Sequence, residues 1–260
     1  MKALDLFSGT GSWKNIMKKT HDVVSVDITN YGKFDITHQV DILTWDYKIY
    51  EPGSFDIISA GCPCIWYSVL QNAWIGRKKR DKKTKKLYTY TRELYEKDLE
   101  YSDKLVLKTL EIIDYFKPRL WFIENPYSSK LKKRDFMKDK PFYVVDYCCY
   151  GFDYKKSTII FTNKKNFKPQ RCLGLECPAV ISYNKQFIHK KNCALSVNSL
   201  QPKAVALLKK KHLVQLSGGL KKKHLKTTGS WSDDQKGVGG GSNRLGRYKV
   251  PDKLVEALIS

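Results

Sequence analysis

The residue best placed for nucleophilic chemistry in this chain is a cysteine that follows a proline. An apolar run over residues 55–60 leads into Gly61-Cys62-Pro63-Cys64, so a rigid turn holds Cys64 at the end of a predicted buried strand. A second apolar run, over residues 120–123, ends in Glu124-Asn125-Pro126. Carboxyl ends of neighbouring strands in an open α/β sheet border the same crevice. Cys64 and Glu124 could therefore face one pocket as a nucleophile and a general acid.

The beginning of the chain has the pattern of a nucleotide-binding site. A predicted strand over residues 2–7 runs into Ser8-Gly9-Thr10-Gly11, where backbone N–H groups and a helix N-terminus can approach a ligand closely. Asp27 ends the second predicted strand, where a carboxylate can accept hydrogen bonds from a ribose diol, and Asp41 is placed to reach an adenine amino group. Each aspartate could instead cap a helix. A nicotinamide dinucleotide competes as the ligand, although the third glycine of its fingerprint is missing.

Strand and helix patterns alternate over the first part of the chain. Helical spacing of apolar residues predicts helices over residues 13–19, 92–116 and 250–259, the last with Pro251 as its first helical residue. Short apolar runs predict strands over residues 2–7, 22–28, 55–60, 119–124, 142–149 and 157–161. This alternation predicts an α/β fold, with a parallel sheet that is covered on both faces.

Composition narrows the class of partner and the compartment. The chain has 260 residues and 48 Lys+Arg against 26 Asp+Glu, for a formal net charge of +22. This charge favours a polyanionic partner, first of all nucleic acid, although solvated lysines alone would give the same count. We expect neither a signal peptide nor a membrane span. The seven cysteines are then expected in an intracellular reducing compartment, as free, metal-bound or catalytic thiols.

These motifs together resemble those of the DNA cytosine-5 methyltransferases. The matches are Gly-x-Pro-Cys-x-x-x-Ser at residues 61–68, Glu124-Asn125-Pro126, and Asp-Leu-Phe-Ser-Gly-Thr-Gly at residues 5–11. The Glu-Asn-Pro form resembles compact phage and viral members, whose cellular site would be the cytoplasm or the nucleus of a host. The resemblance implies a Rossmann-like S-adenosylmethionine-dependent fold and methyl transfer to C5 of a cytosine flipped out of duplex DNA, with Cys64 attacking C6 and Glu124 assisting at N3.

The resemblance also assigns roles to individual residues. It implies a catalytic set of Cys64, Glu124, Asn125 and Lys156. It implies a cofactor-binding set of Asp5, Phe7, Ser8, Gly9, Thr10, Gly11, Asp27, Ile28, Asp41, Ile42 and Pro63. Lys156 and Thr158 stand where the family carries two arginines. Neither side chain reproduces a bidentate guanidinium contact, and Lys155 is a candidate to compensate.

The remaining segments predict how nucleic acid is held. The basic run over residues 76–87 is predicted to be a mobile loop that closes over DNA phosphates, with a solvated charge run as the alternative. Residues 1–163, completed by 244–260, are predicted to form the catalytic domain, and residues 164–243 a small inserted target-recognition domain. In that insert, the spacing of Cys172, Cys177, His189 and Cys193 is compatible with a structural zinc site, against free surface thiols.

Three functions are compatible with this sequence. The first is a monomeric DNA (cytosine-5) methyltransferase acting on double-stranded DNA. The second keeps the same chemistry on RNA, with tRNA as the substrate, and the overall charge does not separate the two polyanions. The third is a catalytically inactive nucleic-acid-binding homologue, which the Lys156 and Thr158 departures suggest and the presence of Cys64 and Glu124 opposes.

Overall fold

The structure, a computed structural model, describes residues 1–30, 35–81, 84–152, 155–173 and 249–260, and the backbone of residues 180–183 and 186–189. Contacts between residues divide the chain into two units. Unit 1 comprises Met1–Ser8, Met17–Tyr143 and Ile159–Lys165, and unit 2 comprises Gly9–Ile16, Val144–Thr158 and Asn166–Ser260.

The elements alternate along the chain as an α/β fold requires. The strands are β1 (Lys2–Leu6), β2 (Asp22–Asp27), β3 (His38–Gln39), β4 (Ile57–Ala60), β5 (Lys78–Arg80), β6 (Leu87–Thr89), β7 (Leu120–Pro126), β8 (Phe142–Asp146), β9 (Ser157–Thr162), β10 (Val180–Tyr183) and β11 (Gln186–His189). The α-helices are α1 (Ser12–Met17), α2 (Arg92–Phe116) and α3 (Asp252–Ile259). Short 3₁₀ helices span Tyr47–Ile49, Val69–Trp74, Lys130–Lys133 and Tyr147–Tyr150.

One seven-stranded sheet has the order β3-β2-β1-β4-β7-β9-β8. Strand β1 pairs in parallel with β2 and β4, and β4 pairs in parallel with β7. The chain therefore moves outward in one direction from β1 to β3 and in the other from β4 to β7. Open α/β sheets bind ligands outside the carboxyl ends of the strands at such a reversal. The predicted α/β fold with a parallel sheet is confirmed.

The central strands form because their residues are apolar on both faces. Leu4, Leu6, Ile57, Ile58 and Phe122 are fully buried, as expected for parallel strands covered on each side.

Helix α2 begins and ends at the predicted residues. The Thr91 hydroxyl accepts a hydrogen bond from the backbone N–H of Leu94 at 3.3 Å, and Glu93 lies in the first turn, both of which stabilise a helix N-terminus. Lys117 adopts a left-handed conformation with φ 47°, and the following proline cannot continue the helix.

The structure corrects three predicted elements. The predicted strand over residues 142–149 ends at Asp146, and the 3₁₀ helix Tyr147–Tyr150 follows. The basic run over residues 76–87 was predicted to be a mobile loop, but β5 lies within it and pairs as an antiparallel hairpin with β6, which begins at its last residue. Pro251 caps helix α3 instead of occupying its first turn.

Unit 2 brings the C-terminal segment to the first helix of the chain. The Val250 N–H donates to the Ser12 hydroxyl at 3.1 Å, and Leu254, Val255 and Leu258 of α3 are fully buried. Strands β10 and β11 pair as an antiparallel hairpin. Across the part of the chain that the structure describes, no helix is both long and apolar enough to cross a membrane.

Candidate active site

The register of two parallel strands brings the candidate nucleophile and acid to the same edge of the sheet. Ala60, the last residue of β4, pairs with Ile123 of β7. Glu124 is therefore the β7 residue directly beyond the end of β4, on the side from which the chain continues to Cys64. Both side chains are partly exposed. Strands β4 and β7 are neighbours, as predicted, and a pocket shared by Cys64 and Glu124 stays a prediction.

The two cysteines of this segment have different environments. The Cys62 side chain is buried, and its Sγ lies 3.7 Å from the Thr109 hydroxyl. Burial raises the pKa of the Cys62 thiol to about 12, which leaves it protonated at neutral pH. The thiolate is the nucleophilic form of cysteine, so the partly exposed Cys64 is the better candidate.

Asn125 connects the two strand ends from inside the protein. Its side chain is fully buried, and Nδ2 donates a hydrogen bond to the Cys62 carbonyl oxygen at 3.2 Å. Among the residues that the structure describes, the Asn125 Oδ1 atom has no hydrogen-bond partner. The side chain therefore fixes the backbone of the cysteine turn.

Tyr67 anchors the same segment on its other side. Its hydroxyl donates to Asp103 Oδ1 of α2 at 2.8 Å, and its carbonyl oxygen accepts from the Lys130 N–H at 2.8 Å. Arg134 donates to both carboxylate oxygens of Asp103, through Nε at 3.0 Å and through Nη2. Burial, followed by the hydrogen bond to Asp103, raises the pKa of Tyr67 far above its ordinary value. The phenol therefore remains a hydrogen-bond donor at physiological pH.

A pocket opens beside the turn after β1, entirely within unit 1. Apolar side chains supply most of its walls, and two carboxylates lie among them. Its lining comprises Phe7, Asp27, Ile28, Val40, Asp41, Ile42, Pro63, Trp66, Tyr101, Ser102 and Leu105. Six residues of the predicted cofactor set, namely Phe7, Asp27, Ile28, Asp41, Ile42 and Pro63, are thus brought together.

Both aspartates of the pocket also stabilise local turns. Asp27 Oδ1 accepts from the Thr29 N–H at 2.8 Å, and Asp41 Oδ1 accepts from the Leu43 N–H at 3.0 Å. Capping and ligand binding were alternatives in the sequence. In the structure the two roles are compatible, since each carboxylate both caps a turn and lines the pocket.

Asp5 and Ser8 belong to the predicted cofactor set but do not line this pocket. Asp5 is buried, and its carboxylate accepts from the Ser8 hydroxyl and from the Ser59 hydroxyl, each at 2.7 Å. These bonds join β1, the turn that follows it and β4. Phe7 has a φ of 55°, a left-handed conformation that is costly for a bulky residue. The buried Asp5 contacts thus support the shape of the turn that presents Phe7.

The remaining predicted residues of the glycine turn and of the later motif belong to unit 2. Gly9 and Gly11 have φ of 52° and 70°, and the Thr10 and Ser12 hydroxyls are 3.1 Å apart. The Lys156 ammonium lies 4.7 Å from the centroid of the Tyr147 ring. Thr158 is buried within β9, and Lys155 is partly exposed.

The predicted zinc ligands fall mostly outside the described residues. Cys177 and Cys193 are not described, and only the backbone of His189 is. Cys172 packs with Cys148 and Cys149. No group of three metal-binding side chains occurs among the described residues, so the four-ligand site stays a prediction.

Sequence reasoning missed part of the pocket lining. Tyr101, Ser102 and Leu105 come from one face of α2, and Trp66 comes from the cysteine segment. The i, i+1, i+4 spacing on α2 marks a common helix face, but the sequence does not reveal which element that face meets. Val40 lies directly before Asp41 and was overlooked there.

Comparison with known proteins places this site in a family. No family model matches the chain. The chain is 36% identical over 183 residues to a protein of Frog virus 3 (isolate Goorha) named "Probable DNA (cytosine-5)-methyltransferase", which covers 68% of this chain and 78% of the viral protein.

A solved structure of a candidate DNA modification methyltransferase, encoded within an Escherichia coli prophage, is also similar. The two chains have 16% sequence identity and a TM-score of 0.42. The match covers 65% of this chain and 51% of the prophage protein. From the identity and coverage of the viral relative, the chain belongs to the DNA (cytosine-5)-methyltransferase family.

Proposed function

We propose that this protein transfers a methyl group from S-adenosylmethionine to C5 of cytosine in double-stranded DNA. The observation that carries this proposal is the pairing of β4 with β7, since the Ala60–Ile123 register brings Cys64 and Glu124 to one edge of the sheet. The pocket with Asp27 and Asp41 lies beside the same segment and includes Pro63.

The chemistry of the two side chains complements that of the cytosine ring. The Cys64 thiolate adds to C6 while Glu124 donates a proton or hydrogen bond at N3, which makes C5 nucleophilic. After C5 has been methylated, loss of the C5 proton to a base and elimination of the thiolate restore the aromatic ring. Cys62 is unsuited to this role, because burial keeps its thiol protonated.

The pocket residues suit an adenosine group. Asp27 can accept hydrogen bonds from ribose hydroxyls and Asp41 from the adenine amino group, while Phe7, Ile28 and Ile42 supply apolar walls. S-adenosylmethionine supplies an electrophilic methyl group when bound. The chain's own contribution is to orient the adenosine and to hold Cys64 in reach of the base.

Duplex DNA is the proposed partner. Extruding the target base from a duplex costs a few kcal/mol, and the protein must offset this cost with many contacts to phosphates. The formal charge of +22 and the exposed Lys78 and Arg80 of hairpin β5–β6 favour such contacts. We extend the proposal to a target-recognition domain over residues 164–243, with a structural zinc bound by Cys172, Cys177, His189 and Cys193. We further propose that the protein is a monomer and acts in a reducing intracellular compartment. Metal analysis of the purified chain tests the zinc.

The decisive experiment is covalent trapping on duplex DNA that carries 5-fluorocytosine, with S-adenosylmethionine present. Fluorine at C5 blocks the final elimination, so the nucleophile remains bonded to DNA. We expect a denaturation-resistant adduct with the wild-type chain that requires the cofactor and is absent from Cys64→Ser.

The matched control is Cys62→Ala, two residues away. It should form the adduct, since a buried thiol with a raised pKa takes no part in the reaction. An adduct in Cys64→Ser that is lost in Cys62→Ala would reverse the assignment. Trapping on 5-fluorocytosine tRNA but not on DNA would transfer the proposal to an RNA substrate, and DNA binding without any adduct would favour an inactive homologue.

A further inference from the structure

One lysine of the basic hairpin points away from solvent. Strand β5 alternates, so Lys78 and Arg80 are exposed while Lys79 is partly buried. The Lys79 ammonium lies 3.2 Å from the centroid of the Tyr90 ring, 5.5 Å from that of Trp66 and 5.6 Å from that of Trp74. All three distances are within the range of a cation–π interaction.

The surroundings of Lys79 form a cluster that we call the aromatic clasp, consisting of Lys79, Trp66, Trp74 and Tyr90. The Trp66 and Tyr90 rings stack at a centroid distance of 6.2 Å and an interplanar angle of 25°. Tyr90 is itself held by its hydroxyl, which donates to Asp98 Oδ2 of α2 at 2.6 Å. Burial lowers the pKa of Lys79, and the charge of Asp98 opposes this shift, so the ammonium is drawn partly out of water.

Trp66 belongs to two structures at once. Its ring takes part in the aromatic clasp, and it also lines the pocket that contains Asp27 and Asp41. Trp66 follows Cys64 by two positions, and the side chain of the preceding residue, Ile65, is 54% exposed. A tryptophan on a partly exposed segment keeps one orientation only if other residues contact its ring. If the ring were ordered only on ligand binding, the entropic cost would reduce the affinity.

We propose that Lys79 is a positioning residue for the pocket: its ammonium binds the Trp66 and Tyr90 rings and thereby fixes the Trp66 indole as a wall of the adenosine site. This inference rests on the proposed function, in which the pocket takes the adenosine of S-adenosylmethionine. Lys79 itself does not contact the cofactor. One lysine of the basic run therefore serves cofactor binding, whereas Lys78 and Arg80 face solvent and remain available to phosphates.

The test compares Lys79→Met with Lys78→Met. Both remove one charge from the same strand, but only the first removes the ammonium from the rings. We expect Lys79→Met to raise the dissociation constant of S-adenosylmethionine about 3- to 30-fold, measured by equilibrium dialysis. KM for the cofactor should rise while kcat at saturating cofactor changes little. Lys79→Arg should restore binding, because a guanidinium also interacts with aromatic faces, and Lys78→Met should bind the cofactor as the wild type does.

A double-mutant cycle with Trp66→Leu separates positioning from folding. Once the indole is absent, Lys79→Met should have little additional effect on cofactor binding, and Trp66→Leu alone should weaken it. Additive effects, equal loss in Lys78→Met and Lys79→Met, or unchanged binding in Trp66→Leu would overturn the role of Lys79. A wild-type chain that does not bind S-adenosylmethionine would instead overturn the proposed function of the pocket.

Discussion

At the scale of single residues, the candidate site depends on side chains that are buried in the protein. Cys62 and Cys64 are two positions apart, yet one is packed against Thr109 in the core and the other is partly exposed. The carbonyl of Cys62 accepts a hydrogen bond from the buried Asn125, which holds the backbone of this turn. The turn that precedes Cys64 is thus held by an amide that lies in the neighbouring strand.

Asn125→Ala tests this dependence. Removing Nδ2 leaves the Cys62 carbonyl without its buried donor, which costs about 1–3 kcal/mol and releases the turn before Cys64. We expect a lower rate of adduct formation on 5-fluorocytosine DNA together with a lower free energy of unfolding. Affinity for S-adenosylmethionine should change less than the rate.

Asn163→Ala is the matched control. The Asn163 side chain also bonds to backbone, accepting from the Trp121 N–H and donating to the Arg119 carbonyl, each at 2.9 Å, but at the opposite end of β7. Because Asn163 is exposed, its replacement should cost less stability, and the variant should keep its trapping rate once folded. Equal losses of rate in both variants would mean that Asn125 acts only through overall stability.

At the scale of elements, helix α2 supports the site from behind. Its Tyr101 and Leu105 line the pocket, and its Asp103 receives the Tyr67 hydroxyl. The cysteine segment is therefore attached to β7 through Asn125 and to α2 through Tyr67. A helix that was predicted from apolar periodicity and a proline stop also carries a buried carboxylate, Asp103, which accepts this structural hydrogen bond.

Tyr67→Phe removes one of these attachments with little change of volume. The buried Asp103 loses a donor but keeps Arg134, so we expect a loss of about 1–3 kcal/mol in the free energy of unfolding and a reduced kcat. Thermal or denaturant unfolding and methyl incorporation into DNA measure the two effects.

Tyr47→Phe provides the comparison, since the Tyr47 hydroxyl also donates to a carboxylate of α2, Glu111, at 2.7 Å. Tyr47 is outside the pocket lining. Tyr47→Phe should be destabilised without a specific loss of kcat. A loss of kcat as large as that of Tyr67→Phe would contradict the role of Tyr67 in attaching the cysteine segment to α2.

The elements that sequence predicted well are those determined by local patterns. Helix α2 has a cap, apolar periodicity and a proline stop, and its limits were correct. Strand β8 was predicted too long because Tyr147 and Cys148 are apolar and buried as strand residues would be. The chain turns there instead, since the Tyr147 N–H donates to the Lys156 carbonyl and the Asp146 N–H to the Gln170 carbonyl, partners that are distant in sequence.

The same reason explains why the pocket was predicted only in part. Residues after β1, β2 and the following loop could be found from their motifs, because their positions at strand ends follow from the sheet. Trp66 and the α2 face could not, because their contribution depends on tertiary packing. The hairpin β5–β6 was missed as well, since the rings that hold Lys79 come from segments on either side of it.

At the scale of the whole molecule, net charge and individual buried charges have separate effects. The excess of lysine and arginine favours association with polyanions, whereas individual carboxylates stabilise the fold by accepting several hydrogen bonds each. Asp56 accepts both Arg119 Nε at 3.1 Å and Arg119 Nη2 at 2.9 Å, and this hydrogen bonding lowers the pKa of Asp56. In unit 2, Asp146 has a comparable role in a more buried position.

Asp146 connects β8, β9 and the segment after residue 170. Its carboxylate accepts from the Ser157 hydroxyl, from Arg171 Nε at 2.9 Å and from the Cys172 N–H at 2.9 Å. Burial on its own would raise the pKa of Asp146, but the bonds from Ser157, Cys172 and Arg171 outweigh it and lower the pKa below its ordinary value. The ionised form is thus the one that the folded state prefers.

This direction fixes how stability should depend on pH. A carboxylate whose pKa is lower in the folded than in the unfolded chain stabilises the fold above the unfolded pKa, about 3.9 for aspartate, and loses that contribution as pH falls through the folded value. Asp146→Asn should therefore reduce the free energy of unfolding at pH 7 by about 1–3 kcal/mol. The deficit should shrink as pH falls below about 4, as measured by denaturant unfolding across a pH series.

Asp135→Asn separates this effect from a general change of charge. Asp135 is 95% exposed and pairs with Lys138 at 3.3 Å, so its replacement should alter stability by less than about 0.5 kcal/mol at pH 7. If Asp146→Asn is as stable as the wild type at neutral pH, the buried carboxylate is not a stabilising centre. If its deficit persists unchanged at acidic pH, the loss comes from side-chain geometry and not from the ionised form.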